Sequence, residues 1–198
     1  MVEVRLARAA DASPVGAVFG RAFAHDPVTS WVTPDANRRR TVLARLNTAI
    51  VRHEGIPRGA TYVAETAGRI VGAAIWQPPR PQPPNWRSVP FSLLAGRALG
   101  RDMGRMIAMG RAVSIARPRE RHWYLQLLGV DTEAQHTGVG RALVEAHLMV
   151  VDRQGVPAYL ETTVENLRFY EGFGFRVAGE IRIRLGAPTE YSLVRAAP

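Results

Sequence analysis

The sequence predicts an α/β fold (α+β in the wider sense), in which helices flank one sheet whose strands run in mixed directions. Runs rich in β-branched and aromatic residues alternate with segments of helical periodicity along the chain. Two strand-like runs are separated only by Ala67 and Gly68, which is hairpin spacing. The run from His122 to Val130 is nearly all apolar, as expected for a central strand buried on both faces. The length of 198 residues predicts one domain, 1–198.

Local signals place each predicted element. Residues 2–7 alternate in polarity and predict a strand, and the first helix starts with Asp11 or Ser13 as N-cap and Pro14 in its first turn. The second helix is indicated by apolar residues at helical spacing. The predicted elements are, in chain order, strand 2–7, helices 11–26 and 34–53, strands 60–66 and 69–77, a helical region 91–116, strand 122–130, helix 138–153, strand 156–163, helix 164–173, and strands 175–185 and 189–195.

Two segments in the middle of the chain have distinctive compositions. The proline-rich stretch 78–90 predicts a stiff extended loop, which we interpret as a connector beside a site in preference to an SH3 ligand. Met103, Met106 and Met109 follow at helical spacing, which is typical of core or groove-lining residues.

Composition narrows the functional classes. The chain has no Cys, which excludes disulfides, thiolate metal sites and a cysteine nucleophile. Its net charge is +9 and all 26 basic residues are Arg, but they are spread along the chain without a nucleic-acid-binding module. We therefore expect no nucleic-acid partner. The N-terminus lacks a signal sequence and no apolar run approaches transmembrane length, so we expect a cytoplasmic protein without a membrane partner.

The stretch LLGVDTEAQHTGVGRALVEAHL, which begins at Leu127, predicts an anion site. A polar loop with Gly138 and Gly140 leads from the central strand into a helix expected to bury Val139 and Leu143, together with Ala146 and Val150. The amides at a helix N-terminus bind anions, and glycines let a phosphate approach them. A Walker loop is excluded because the chain has no Lys, and a dinucleotide fingerprint is excluded because Leu143 replaces its third glycine.

The longer pattern carries more information than the glycine pair. The segment Gln135-His136-Thr137-Gly138-Val139-Gly140, followed by YLETT and then NLRFYEGFGF, resembles the GNAT superfamily of acyl-CoA N-acetyltransferases. GVPAYLET and NLRFY are similar to the puromycin N-acetyltransferase-like branch in particular. The resemblance implies a GNAT-type domain with a central mixed, mostly antiparallel sheet whose middle strands splay apart. It implies an acceptor-side half, 1–120, and an acetyl-CoA-binding half, 121–198.

The resemblance also implies which residues bind acetyl-CoA (coenzyme A) as co-substrate. The loop amides would hold the pyrophosphate, and one strand edge would hold the pantetheine arm, with a backbone N–H near Leu128 polarising the acetyl carbonyl. Arg141 has the alternative of a surface pair with Glu145, and the role of Asn166 is in doubt because Tyr170 follows it after only four residues. The implied cofactor-binding residues are Leu128, Gly129, Val130, Gln135, His136, Thr137, Gly138, Val139, Gly140, Arg141 and Asn166.

Catalytic roles follow from the same resemblance. Tyr170 matches the family tyrosine that acts as general acid toward the coenzyme sulfur, with a buried core aromatic as the alternative. Glu161 is the preferred general base and Asp26 the second choice, although Glu161 could instead be a structural carboxylate. Tyr124 and Gln126 are expected on the same strand face as Leu128, pointing into the cleft.

The predicted function is therefore transfer of an acetyl group from acetyl-CoA to a primary amine of a small molecule, by direct attack in a ternary complex. A protein or peptide amine is the first alternative, and a non-catalytic acyl-CoA sensor or a nucleic-acid-binding protein is the second. The five His residues show no metal-ligand spacing, so no metal is assigned. We expect a monomer or homodimer.

Overall fold

The computed structural model describes residues 2–79, 96–183 and 186–198. Its strands are β1 (Glu3–Leu6), β2 (Thr61–Thr66), β3 (Arg69–Gln77), β4 (Trp123–Val130), β5 (Ala158–Thr162), β6 (Arg176–Ile181) and β7 (Glu190–Arg195). Its helices are α1 (Ala12–Ala22), α2 (Pro27–Val32), α3 (Ala36–Ile50), α4 (Met103–Ala116), α5 (Val139–Gln154) and α6 (Leu167–Glu171). Within the described residues, no helix has both the length and the apolar character needed to cross a bilayer.

One seven-stranded sheet organises the chain, in the order β1-β2-β3-β4-β5-β7-β6. Neighbouring strands are antiparallel except β4 and β5, which run parallel at the centre. The predicted hairpin is confirmed, since β2 and β3 are joined by Ala67 and Gly68, both with positive φ as a two-residue turn requires. The sequence-based prediction of a mixed sheet flanked by helices is confirmed.

Helices cover both faces of the sheet. On one face α1 places Val15 and Phe19 against β2 and β3 residues that include Ile75. β4 carries Gly129 where α1 crosses it, and a Cβ there would lie 2.5 Å from Cδ1 of Phe19. On the other face α5 buries Leu143 in a larger core under β3, β4 and β5. Gly129 thus has a packing reason: it allows α1 to lie close to the central strand.

The N-terminal helix prediction is wrong beyond Ala22. The structure ends α1 there and begins a separate helix, α2, at Pro27. Asp26 has an extended backbone and its Oδ1 accepts a hydrogen bond from the Thr29 N–H at 2.8 Å. An acidic N-cap followed by proline at the first helical position is a helix start, so the Asp26–Pro27 pair interrupts the helix predicted over 11–26.

The helix predicted over 34–53 is shorter, since α3 covers Ala36–Ile50 and a π-helical turn, Val51–Gly55, follows it. The predicted loop 78–90 lies outside the described residues from residue 80 onward, as do residues 91–95 of the predicted helical region. In the described part of that region, α4 carries Met103, Met106 and Met109, which pack against a small apolar cluster around α3. They are partly buried, which agrees with the prediction that they are core or groove-lining residues.

The buried face of α5 differs from the predicted one. Ala146 and Val150 are only half-buried, whereas His147 is 2% exposed. The imidazole of His147 lies 4.7 Å from the Trp76 ring and 4.3 Å from the Trp123 ring, measured between centroids. The rings of Tyr62, Trp76 and Trp123 form an aromatic box around His147 in the core. The buried face of α5 is therefore rotated relative to the face that its apolar residues alone predict.

Candidate active site

The central parallel pair separates soon after it forms. β4 and β5 are paired only at Trp123 with Ala158 and at Tyr124 with Tyr159, although both strands continue beyond these residues. The rest of β4, which includes Leu128, Gly129 and Val130, remains paired with β3 on its other edge. The edge of β4 facing β5 therefore has backbone groups that no neighbouring strand uses, and an extended guest can hydrogen-bond to them.

A second set of free backbone groups lies at the start of α5. Gly138 is the N-cap with a φ of 89°, and among the described residues no side chain caps this helix. By contrast, Asp26 caps α2 and Asp35 caps α3. The first α5 amide to make a helical bond is that of Ala142, so the N–H groups before it are left for another acceptor. A Cβ added to Gly138 would meet nothing within 4 Å, so the space beside this N-cap residue is open.

The loop that leads to α5 is held at its start and in its middle. Asp131 is 2% exposed and pairs with the Arg21 guanidinium of α1, whose Nε lies 2.9 Å from Oδ1 of Asp131. The Arg21 guanidinium lowers the pKa of the Asp131 carboxyl. Gln135 Nε2 donates to the Val130 carbonyl at 3.2 Å, and Thr137 Oγ1 donates to the Ala134 carbonyl at 2.7 Å. These bonds fix the loop before any guest arrives.

The remaining predicted cofactor-binding residues lie in and around this loop. His136 is exposed and has a φ of 62°, which is unusual for a residue with a side chain. Val139 is 1% exposed and anchors the helix in the core. Arg141 Nη1 lies 3.1 Å from Oε1 of Glu145, with both side chains more than half exposed. Such a surface pair is weak, so the Arg141 guanidinium is available to an anion. Asn166 is exposed just before α6.

At Gly140 the structure gives no steric reason for glycine. A Cβ there would lie 3.5 Å from Cζ of Phe169 and 3.6 Å from Cγ2 of Val130, which are ordinary contacts. The two glycines of the loop therefore differ: Gly138 has the backbone conformation that favours glycine, whereas Gly140 does not.

Tyr170 lies on α6 in the core shared with α5. It is 8% exposed, and its ring centroid lies 5.0 Å from that of Phe169 and 6.0 Å from that of Phe175. Burial raises the pKa of its hydroxyl. A raised pKa keeps the proton on this oxygen at neutral pH, which is the state a proton donor requires.

Glu161 lies near the end of β5 in a buried polar group. Its side chain is 6% exposed, and its Oε1 is 4.0 Å from Nη2 of Arg117. The Arg117 guanidinium in turn lies 3.6 Å from the centroid of the Tyr124 ring. Burial raises the pKa of Glu161, and the Tyr124 hydroxyl and the Arg117 charge limit that rise. A buried carboxyl with a raised pKa is suited to proton transfer.

Glu190 and Tyr159 adjoin Glu161, and Asp26 lies near Glu190. Burial, followed by the charges of Glu161 and Asp26, raises the pKa of Glu190 to about 7. Burial also raises the pKa of Asp26, although its Oδ1 is already used to cap α2. Tyr159 is 1% exposed, and its ring lies 5.9 Å from that of Tyr124. Glu190 thus lies between the predicted base and the second-choice base, since the charges of both raise its pKa.

The expected alternation from Leu128 back to Tyr124 is broken. Leu127 pairs with Ile75 and Leu125 pairs with Trp76, which leaves Gln126 as the extra residue of a β-bulge. Leu128 consequently packs with Leu125 in the core under α5. The Gln126 side chain accepts a hydrogen bond from Gln77 Nε2 at 2.9 Å.

Sequence reasoning did not single out Arg117, Tyr159 or Glu190. Arg117 is one Arg among 26, and no local pattern distinguishes it. Tyr159 and Glu190 were placed in the correct strands, and only the β5–β7 register brings them to Glu161. The signal available in the sequence was a Glu within one predicted strand and a second Glu near the start of another. Among the described residues, no three His, Asp or Glu side chains are grouped to hold a metal ion.

Comparisons with known proteins point to one family. The chain is 27% identical over 180 residues to an uncharacterised N-acetyltransferase of Schizosaccharomyces pombe, covering 84% of this chain and 71% of the relative. A Corynebacterium glutamicum structure described as histone acetyltransferase HPA2 and related acetyltransferase shares the fold with a TM-score of 0.74, at 24% identity over 100% of this chain and 97% of that one. A Drosophila melanogaster polyamine N-acetyltransferase shares it with a TM-score of 0.60, at 16% identity over 99% and 100% of the two chains.

The family assignment rests on the sequence as well as the fold. The model of the acetyltransferase (GNAT) family matches residues 25–175, which extend from just before α2, through the loop that precedes α5, to just after α6. This segment contains the separated central strands, the open N-terminus of α5 and the buried Glu161 and Tyr170. The chain belongs to the acetyltransferase (GNAT) family of enzymes.

Proposed function

We propose that this enzyme moves the acetyl group of acetyl-CoA onto a primary amine of a small molecule, by direct attack while both are bound. The observation that carries this proposal is the placement of a buried carboxylate at the separated end of the parallel strand pair. Since β4 and β5 are parallel, the loop after β4 and Glu161 near the end of β5 lie at the same edge of the sheet. A carboxylate that can accept a proton and a loop that can bind an anion therefore border the same gap between β4 and β5.

Four features support acetyl-CoA as the acetyl donor. The amides before Ala142 and the adjacent Arg141 suit its phosphates, and the unpaired edge of β4 suits its extended pantetheine arm. The space around Gly138 is open on the side of the loop. When bound, acetyl-CoA supplies a thioester whose carbonyl carbon is open to an amine. The chain has no Cys, so transfer through an acyl-cysteine is excluded.

The proposed reaction needs two proton movements, which Glu161 and Tyr170 perform. An alkyl ammonium with a pKa near 10.4 costs about 4 to 5 kcal/mol to hold neutral at pH 7. Glu161 accepts that proton, and the raised pKa of its carboxyl makes the transfer easier. The amine nitrogen bonds to the acetyl carbon as the carbon–sulfur bond breaks, and the Tyr170 hydroxyl donates its proton to the departing sulfur. The second proton that the nitrogen loses as the amide forms returns to the Tyr170 oxygen, so Tyr170 relays one proton from nitrogen to sulfur.

A small acceptor is supported by the resemblance to the puromycin N-acetyltransferase-like branch. It is also supported by the fold shared with a Drosophila melanogaster polyamine N-acetyltransferase that is described as catalysing the formation of N-acetylagmatine. Both are reasons to begin with low-molecular-weight amines. A peptide amine is the other candidate to include in the same assay.

The test is acetyl transfer measured by mass spectrometry, with acetyl-CoA and a panel of small amines and short peptides. We expect at least one small amine to gain one acetyl group with release of coenzyme A. Glu161→Gln should lower kcat by about 10² to 10⁴-fold, as general base catalysis contributes that factor. Glu180→Gln, at an exposed position on β6, is the matched control and should keep full activity. Acetylation of peptides alone would contradict the proposed acceptor class.

A further inference from the structure

The carboxylates around Glu161 lie on one face of the sheet. In the β5–β7 register, Glu161 is opposite Ser192, so Glu190, two residues from Ser192, points to the same side. Tyr159 lies two residues before Glu161 and also shares this face. Asp26 joins them from the turn between α1 and α2, and its charge is felt at Glu190. Glu165 is an exposed member of the same acidic group, since its charge contributes to raising the pKa of Asp26.

This group has an excess of negative charge. Within residues 2–79, 96–183 and 186–198, the cation paired with it is Arg117, at the long distance of 4.0 Å from Glu161. In the same ranges, Asp26 and Glu190 form no ion pair with any Arg. The whole chain carries a net charge of +9, so guanidinium groups are abundant elsewhere. The local charge is thus opposite in sign to that of the whole protein.

Unpaired buried atoms provide an independent indication of a guest. The Tyr159 hydroxyl, Glu161 Oε1 and Glu190 Oε2 are all buried without a hydrogen-bond partner among the described residues. Tyr159 is 1% exposed, and its hydroxyl lies close enough to Glu161 to affect the pKa of that carboxyl. Buried polar groups are normally paired, and leaving them unpaired is costly. The Tyr159 hydroxyl can donate to Glu161, whereas an ionised Glu190 can only accept, so a donor is the group that would satisfy Glu190 Oε2.

We propose, on the basis of the function proposed above, that the acceptor is a dication of the alkyl diamine class. Its reacting amine lies at Glu161, and its second ammonium binds Glu190 and Asp26. Each ammonium has three N–H donors and a positive charge, which match the unpaired oxygens and the excess carboxylates. Side chains at diagonal positions on paired strands lie roughly 7 Å apart, and the two nitrogens of a four-carbon diamine span a similar distance.

The test compares two acceptors of equal length that differ by one charge. In wild-type enzyme, we expect kcat/KM for 1,4-diaminobutane to exceed that for n-pentylamine by about tenfold or more, as a charge-assisted hydrogen bond at a buried site supports. Glu190→Gln should bring this ratio close to one. Glu180→Gln, on the exposed face of β6, should leave the ratio as in wild type.

A binding measurement covers the case in which Glu190→Gln fails to fold. Calorimetry of wild-type enzyme with each of the two amines, without acetyl-CoA, should show tighter binding of the diamine. Equal kcat/KM values for the two amines in wild-type enzyme would overturn the diamine assignment and leave the proposed function standing. If neither these two amines nor any other is acetylated by enzyme that binds acetyl-CoA, the proposed function fails, and the diamine assignment fails with it.

Discussion

At the scale of single residues, Tyr170 has a hydroxyl that is kept protonated by its surroundings. The residue is 8% exposed, and burial raises its pKa. Among the described residues the hydroxyl has no hydrogen-bond partner, so nothing within them competes for its proton. The ring packs against Phe169 and Phe175 whether or not the oxygen is present. Removing the hydroxyl oxygen of Tyr170 therefore tests its role in proton transfer while the ring keeps its packing.

Tyr170→Phe should lower kcat by about 10²-fold, the lower end of the range for general acid catalysis, because a thiol leaves well as a thiolate. KM and the affinity for acetyl-CoA should stay near wild-type values, since only an interaction of the transition state is lost. Steady-state kinetics with a slow acceptor is the appropriate measurement, since slow product release would hide the effect with a fast one. Full kcat under these conditions would show that Tyr170 is a core residue only.

The acidic residues show how much of the site can be inferred before the fold is known. Glu161 and Asp26 could be named because they lie in motifs that resemble the family. Glu190 could not, because its role depends on a strand register that joins residues 29 positions apart in sequence, β5 Glu161 and β7 Glu190. Its pKa of about 7 also has its causes in burial and in neighbouring charges, which are properties of the folded chain.

At the scale of elements, the helices differ in how their starts are capped. α2 and α3 begin with Asp side chains that accept a backbone hydrogen bond, whereas α5 begins with a glycine. The local signals predicted α5 and both strands of the hairpin closely, since turn residues and caps act over a few positions. They missed α2, a helix of only six residues that starts at the Asp26–Pro27 pair. They also missed the bulge at Gln126, which is set by pairing with β3.

The uncapped start of α5 gives a prediction about acetyl-CoA affinity. Gly138→Asp would place a carboxylate beside the amides and the phosphates, so the Kd for acetyl-CoA should rise at least about tenfold from charge repulsion and added bulk. The change also strains the backbone, since Gly138 has a φ of 89°. Gly59→Asp is the matched control, with a φ of 70° and no neighbouring atom within 4 Å of the added Cβ.

Calorimetric titration with acetyl-CoA separates the two effects. Both variants should lose a similar amount of stability, but only Gly138→Asp should lose affinity. If folded Gly138→Asp binds acetyl-CoA as tightly as Gly59→Asp does, the loop is not the phosphate site.

At the scale of the whole molecule, the two faces of the sheet bury different kinds of titratable side chain. The face under α1 holds the carboxylates Glu161 and Glu190 of the site, and the face under α5 holds the buried His147. His147 Nδ1 lies 3.3 Å from the Tyr62 hydroxyl, and its Nε2 has no partner among the described residues. The fold class followed from the pattern of apolar residues, but the burial of this titratable side chain depends on the aromatic box that three separate strands assemble.

His147 predicts how the stability of the protein depends on pH. Burial lowers its pKa to about 4 in the folded protein, whereas a His in an unfolded chain has a pKa of about 6.5. Between these values the unfolded chain binds a proton and the folded protein does not, so the free energy of unfolding falls as the pH falls from 6.5 to 4. The full loss from this residue is about 3 kcal/mol, of which about 2 kcal/mol is reached at pH 5.

His147→Leu removes this titration and keeps an apolar side chain in the box. Its cost in packing and in the lost Tyr62 contact is measured at pH 8, where His147 is neutral in both states. Urea unfolding at pH 8 and pH 5 should then show the variant gaining about 2 kcal/mol relative to wild type as the pH is lowered. If the difference between the two proteins is the same at both pH values, His147 takes up its proton without unfolding the core, and the aromatic box must admit water or a counter-charge that accommodates the imidazolium.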